Sequence, residues 1–158
     1  MKGDAGVIEI LNQVLTNELT AINQYFIHSK MCQNWGYDHL AAHHHAESIE
    51  EMKHADEVID RILMLDGVPN MQRLNPVRVG ENVLEQHKCD LALELAACDT
   101  LRAGIARCLE VGDHGSRDLM ERILVDEEQG IDWIESRLTI IEDIGIERYL
   151  AEQIKPGG

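Results

Sequence analysis

Glu51-Met52-Lys53-His54-Ala55-Asp56 and, 76 positions later, Glu127-Glu128-Gln129-Gly130-Ile131-Asp132 decide the reading of this chain. Each segment puts a glutamate where an amphipathic helix should carry a core hydrophobe. Glu51 heads the stripe Ala55, Val58, Ile62, Leu65, and Glu127 falls among Met120, Leu124, Ile131, Ile134, Leu138 and Ile141. Two more glutamates behave alike. Glu18 interrupts Ile8, Leu11, Leu15, Ile22 and Tyr25, while Glu94 falls among Leu84, His87, Leu91, Cys98, Leu101, Ile105 and Cys108. Steps of three and four keep side chains on one helix face, so four carboxylates are expected to point inward.

An ionised carboxylate in an apolar interior is costly unless it is paired, protonated or bound to metal. Four of them would repel one another, and two divalent cations would balance the charge. Glu18 to Glu51 and Glu94 to Glu127 are both 33 residues apart, which reads as a duplicated helical hairpin. Glu18-Leu19 answers Glu94-Leu95 in the same register.

The 158 residues suit one domain, and 44% hydrophobic content is enough for a substantial core. Only 3 prolines and few β-branched runs favour helices. No uninterrupted apolar run of about 18 residues exists, and Met1-Lys-Gly-Asp4 does not open a signal peptide, so a soluble cytoplasmic protein is expected. The formal net charge of −15, from 29 acidic against 14 basic side chains, disfavours nucleic acid and anionic membranes as partners. Cations are favoured instead. Cys32, Cys89, Cys98 and Cys108 form no C-x-x-C pair and read as reduced thiols.

Breakers divide the pattern into four long helices and a short fifth. The first runs from about residue 5 to Cys32 or Gln33, before Asn34-Trp35-Gly36, and the second starts at Asp38 as N-cap and ends at Asp66-Gly67. Gly67 to Gly80, with Pro69 and Pro76, has no helical stripe and reads as a long crossover. The third helix spans about Glu81 to Glu110. The fourth follows Ser116 as its cap and reaches about Asp143, and Ile146 to Ile154 forms the fifth. Short loops inside two hairpins and one long link between them make an all-α four-helix bundle of ferritin-like connectivity, one domain over residues 1–158.

Glu51-x-x-His54 puts a carboxylate and an imidazole one turn apart on the same face. Ferritin-like di-iron proteins combine a Glu from each of two helices with Glu-x-x-His from each of the other two. Glu18 and Glu94 fill the first role, Glu51 and His54 the second, and Glu127 half of the third. Position 130, where the last His is expected, is glycine. Gln129 lies about 200° around the helix from Glu127 and does not replace it. Glycine inside a helix also costs roughly 1 kcal/mol relative to alanine, so it does not serve the fold. Tyr25 and Asp90 share faces with Glu18 and Glu94 and are expected to hydrogen-bond the ligands or to pack beside them. His43, His44 and His45 diverge by about 100° per residue and read as a solvated helix face. Glu47 and Glu50 offer further cation sites.

Over essentially its whole length the chain resembles the bacterioferritin family. The stretches that carry the resemblance are Met1-Lys-Gly-Asp4, Asn17-Glu-Leu-Thr-Ala-Ile-Asn-Gln-Tyr-Phe26, Glu47-Ser-Ile-Glu-Glu-Met-Lys-His-Ala-Asp56, Ser116-Arg-Asp118 and Ile131-Asp-Trp133. The resemblance implies a shell of twenty-four subunits built from dimers, Fe²⁺ oxidation by O₂ or peroxide at a di-iron centre inside each bundle, and storage of ferric mineral. It implies haem between paired subunits, held by one methionine from each, and the matching residue is Met52. Read from its neighbours alone, Met52 lies on an apolar edge with Ile49, Ile59 and Leu63, opposite Leu19, Ile22 and Phe26, as a packing residue. A thioether is also a suitable axial donor to haem iron. The resemblance further implies a small ferredoxin for iron release, and a subunit pore lined by Asn34, Asp66, Asp132 and Ser136. The glycine at 130 adds a rival reading: a haem-carrying shell subunit with impaired ferroxidase activity, co-assembling with a competent second bacterioferritin subunit. A small-molecule di-iron oxygenase lacks any substrate-pocket signature.

Overall fold

The computed structural model describes residues 1–156. Its elements are α1 (Ala5–Trp35), α2 (Asp38–Met64), α3 (Val83–Val111), α4 (His114–Ile144) and α5 (Ile146–Gln153), with no strand among the described residues. The end of the expected fifth helix falls one residue early, at Gln153. Two of the expected caps shift as well. Asp38 is the first helical residue of α2 rather than its cap. Asp113, not Ser116, caps α4: its carboxylate accepts from the Ser116 N–H at 3.0 Å and from the Ser116 hydroxyl at 2.6 Å. A carboxylate reaches this N-terminal donor and favours the positive end of the helix dipole. α3 likewise begins two residues late, because Asn82 accepts from the Glu85 N–H.

α1 packs against α2, α3 against α4, and α1 against α3. Cross-links give the directions: Asp4 meets Arg107 and Tyr25 meets Glu94, so α1 and α3 run antiparallel. Between α2 and α4, Arg61 reaches Asp113 and His54 reaches Asp126, again antiparallel. One apolar cluster, including Leu11, Leu15, Val58, Ile62, Leu101 and Met120, fills one end of the bundle. A smaller cluster of Cys32, Leu40, Val83, Ile141 and Tyr149 fills the other, where α5 folds over. The glutamates sit where the apolar fill stops.

The crossover from Gly67 to Gly80 has no regular structure of its own, so its backbone groups need partners elsewhere. α1 supplies them from Asn12, Thr20, Gln24 and His28, and Thr16, in the same four-residue spacing, takes the Arg73 side chain. Asn12 donates to the Val68 carbonyl at 3.1 Å and accepts from the Asn70 N–H at 2.8 Å. Thr16 accepts from Arg73 Nε, Thr20 from the Asn75 N–H, and Gln24 from the Arg78 N–H. His28 Nε2 accepts from the Gly80 N–H at 3.0 Å. A slowly winding polar strip thus straps the link along the helix and delivers α3 at the correct end. Asn12→Ala removes two of these bonds and should lower stability by about 1–3 kcal/mol, read as a lower urea midpoint at unchanged slope.

Candidate metal centre

The inward glutamates are where their stripes predict. Glu18, Glu51, Glu94 and Glu127 are 1%, 3%, 2% and 3% exposed, so none is solvated. Glu18, Glu51, His54 and Glu127 bring one ligand atom each to within 4.8 Å of one another. His54 Nδ1 lies 3.3 Å from Glu127 Oε1, 3.6 Å from Glu18 Oε2 and 3.8 Å from Glu51 Oε2. Glu18 Oε2, His54 Nδ1 and Glu127 Oε1 have no hydrogen-bond partner. Buried polar atoms are seldom left so, and here they face a common point. Carboxylates with one imidazole suit a divalent first-row ion.

Glu94 stands outside that group. Its Oε1 accepts the Tyr25 hydroxyl at 2.7 Å, while its Oε2 is unpartnered. A Cβ built on Gly130 meets nothing nearer than the Glu94 carboxylate, at 4.0 Å. Position 130 therefore looks onto Glu94 across open space, and the absent imidazole is absent from that side. One half of the constellation is assembled, and the other is a carboxylate without its nitrogen neighbour. A cavity of about 280 Å³ lined by Glu47, Glu51, His54, Asp126, Gly130 and Trp133 opens beside it.

Electrostatics follow from burial. Desolvation and then the charges of Glu18 and Glu127 push Glu51 well above the usual carboxylate range. Glu127 is raised to about 7, by burial first and the Glu18 charge next. Burial alone would lower His54, but the close carboxylates, led by Glu127 and Glu18, outweigh it and hold the imidazole at about 11. Burial and the Asp90 charge keep the Tyr25 phenol protonated, as its bond to Glu94 requires.

Asp126, which carries no signal in the inward stripe, holds the outer face of His54: Nε2 lies 2.9 Å from Asp126 Oδ2. This carboxylate orients the ring and aims Nδ1 inward. Its clue is local, since it precedes Glu127 directly. Tyr25 meets its expectation, but Asp90 does not touch a metal-site glutamate. It accepts from Gln24 at 2.9 Å and pairs with His28 Nδ1 at 3.0 Å.

The histidine run is not a solvated face. His45 is exposed, but His44 is 1% exposed, and His43 stacks on Trp133 with ring centroids 3.5 Å apart. His44 continues the inward register of α2 through Ser48, Glu51, Ala55 and Val58, a stripe that starts earlier than the sequence reading placed it. Glu47 lies at the cavity mouth, raised chiefly by burial. Asn34, Asp66, Asp132 and Ser136 are all exposed. So is Met52, at 51%, and the apolar side chains of Phe26 and Leu63 are exposed to a similar degree. The four cysteines are free, and Cys32, Cys98 and Cys108 are buried.

A helical bundle with carboxylates and an imidazole converging at its centre defines a ferritin-like protein, and the family model described as the Ferritin-like domain matches residues 8–144. Among proteins of similar sequence, the Bacterioferritin of Mycobacterium tuberculosis is 50% identical over 152 residues, covering 96% of each chain. The Bacterioferritin of Streptomyces coelicolor is 49% identical over 159 residues, 99% of this chain and 95% of that one. That of Rhodobacter capsulatus is 46% identical over 145 residues, 92% and 90%. The chain belongs to the bacterioferritin family, an iron-storage family. No helix among the described residues is long and apolar enough to cross a membrane.

A metal entering this site must displace protons from Glu51, Glu127 and His54. Because all three are raised, the metal-free site holds protons near neutrality, and metal affinity must rise as pH rises through about 7. Calorimetric titration with Co²⁺ in buffers of different ionisation enthalpy should show proton release and tighter binding at pH 8 than at pH 6. Equal affinity at both would contradict these assignments.

Proposed function

We propose that the chain is an iron-storage ferroxidase subunit. Fe²⁺ as substrate binds between Glu18, Glu51, His54, Glu94 and Glu127, with Glu51 and Glu127 bridging two ions and Glu18 and Glu94 terminal. Each ion gives up one electron, so a pair supplies the two electrons that reduce O₂ with two protons to peroxide, or peroxide to water. Carboxylates favour the more highly charged product ion, which lowers the cost of oxidation. Ferric mineral then collects in the cavity of a shell of twenty-four subunits. The observation that carries the reading is the buried group of four ligand atoms within 4.8 Å, three of them unpartnered. Family membership supports it independently.

Haem fits the exposed apolar face. Met52 Sδ would hold its iron together with the same residue of a second copy, and Phe26 and Leu63, also half-exposed, would pack the ring. Bound there, haem supplies one-electron transfer. A small ferredoxin delivering electrons for iron release and residence in the cytoplasm belong to the same reading.

Gly130 favours a second reading, a haem-carrying shell subunit of impaired ferroxidase activity that co-assembles with a competent one. The open space facing Glu94 is its specific support. Stopped-flow oxidation of Fe²⁺ by the homopolymer separates the two. The ferroxidase reading expects an initial rate at least about tenfold above that of Glu51→Ala/Glu127→Ala, a loss of the size that metal-site changes produce. A rate equal to that control leaves the impaired subunit. Gly130→His should raise second-metal affinity, and Met52→Leu should abolish a bis-thioether haem spectrum in the assembled protein.

A further inference from the structure

His28, His44, His87 and Asp90 come from three helices into one buried region next to Tyr25. His44 precedes Glu51 by seven residues and Asp90 precedes Glu94 by four, so the region lies roughly 6–10 Å along the bundle from the glutamates at 1.5 Å per residue. All four residues are 1% exposed or less. Only part of this cluster is satisfied. His28 Nε2 accepts from Gly80, so its Nδ1 carries the proton and donates to Asp90 Oδ1. Asp90 Oδ2, His87 Nδ1 and both nitrogens of His44 have no partner.

Each such atom is costly if nothing meets it. Two imidazoles and one carboxylate, each with at least one unpartnered atom in one dry place, suit a Lewis acid. We propose that His44, His87 and Asp90 hold a divalent transition-metal ion at a site distinct from the glutamate cluster. Imidazole nitrogen with carboxylate oxygen selects such an ion over magnesium or calcium, which take oxygen alone.

The spacings approach such a site without meeting it, since the three donors are not all within 4.8 Å of one another as those of the glutamate group are. With metal–nitrogen bonds of about 2.1 Å, two imidazoles on one ion put their ring centres roughly 5–6.5 Å apart. Those of His44 and His87 are 6.0 Å apart. His44 Nδ1 and Asp90 Oδ2 are 3.8 Å apart, a few tenths wider than the tetrahedral edge of about 3.4 Å that the same bond lengths give. Tyr149 holds His87 Nε2 at 3.0 Å, which leaves Nδ1 as the donor. The donors are looser than those around His54, so binding draws the rings together. Entry is from the cavity beside Gly130. His43 and Trp133 line it and stack on each other, and behind them lie His44, 5.6 Å from His43, and His87, 5.7 Å from Trp133, between ring centres.

This site does not depend on the ferroxidase reading, and one titration reads both. Co²⁺ is added to the assembled, metal-free full-length protein, with binding followed by equilibrium dialysis and visible absorption. Comparing wild type with Glu51→Ala/Glu127→Ala reports the glutamate cluster. In that double variant about one Co²⁺ per subunit should remain, with the absorption of an imidazole-bound ion. Adding His44→Phe or His87→Leu should weaken it by at least about tenfold, and adding the exposed His45→Ala should leave it unchanged. Asp90→Asn keeps the shape of the cluster and should also weaken binding, which serves where a histidine variant fails to assemble. A double variant that retains no Co²⁺ overturns the proposal. So does retained Co²⁺ that survives His44→Phe, His87→Leu and Asp90→Asn.

Discussion

Everything else in this subunit is arranged around the burial of four carboxylates at the middle of a helical bundle. Transferring one such ion to a dry interior costs several kcal/mol, and clustering several multiplies the difficulty. The protein meets it in the metal-free state with protons. Glu51 and Glu127 are raised, and His54 stays protonated against its burial. A metal ion entering the group would displace those protons. Apolar packing can hold neither, so the core divides into two clusters with the polar centre between them.

The polarity extends beyond the ligands. α1 carries a second buried polar strip, Asn12 to His28, that belongs to the crossover. Without it a link of some fourteen residues with no regular structure would leave its N–H groups unmet along the length of the bundle. Gln24 and His28 serve both systems, since each binds the crossover backbone and Asp90. The strap and the interior of the bundle are thereby tied by shared side chains.

The fold was legible because amphipathic periodicity survives the glutamates. The stripes, the equal spacing of 33 and the proline-bearing link specify two hairpins and a crossover. The glutamates and His54 were legible for the same reason, as exceptions to a regular pattern. Helix starts were not, because Asp113 and Ser116 are equally good caps and only three-dimensional reach selects between them. The His43-His44-His45 run misled because three like residues suggest one environment, whereas the helix turns each to a different one. The strip on α1 went unread because Asn, Thr and Gln every four residues resemble an exposed face. Its partner has no periodicity to match.

Gly130 concentrates the question of what the centre does. It keeps the helix, clears the space before Glu94 and leaves the Glu18, Glu51, His54 and Glu127 group intact. The central claim is that this group is built for metal and only tolerated without it. Thermal unfolding of Glu51→Gln with and without Co²⁺ tests it most directly. Burial and the charges of Glu18 and Glu127 favour the protonated form of Glu51 in the metal-free site, so the substitution should leave the metal-free Tm unchanged or higher while abolishing the rise that Co²⁺ gives the wild type. A metal-free Tm lowered by about 5 °C or more, well over 1 kcal/mol for a domain of this size, with the Co²⁺ response preserved, would contradict the account.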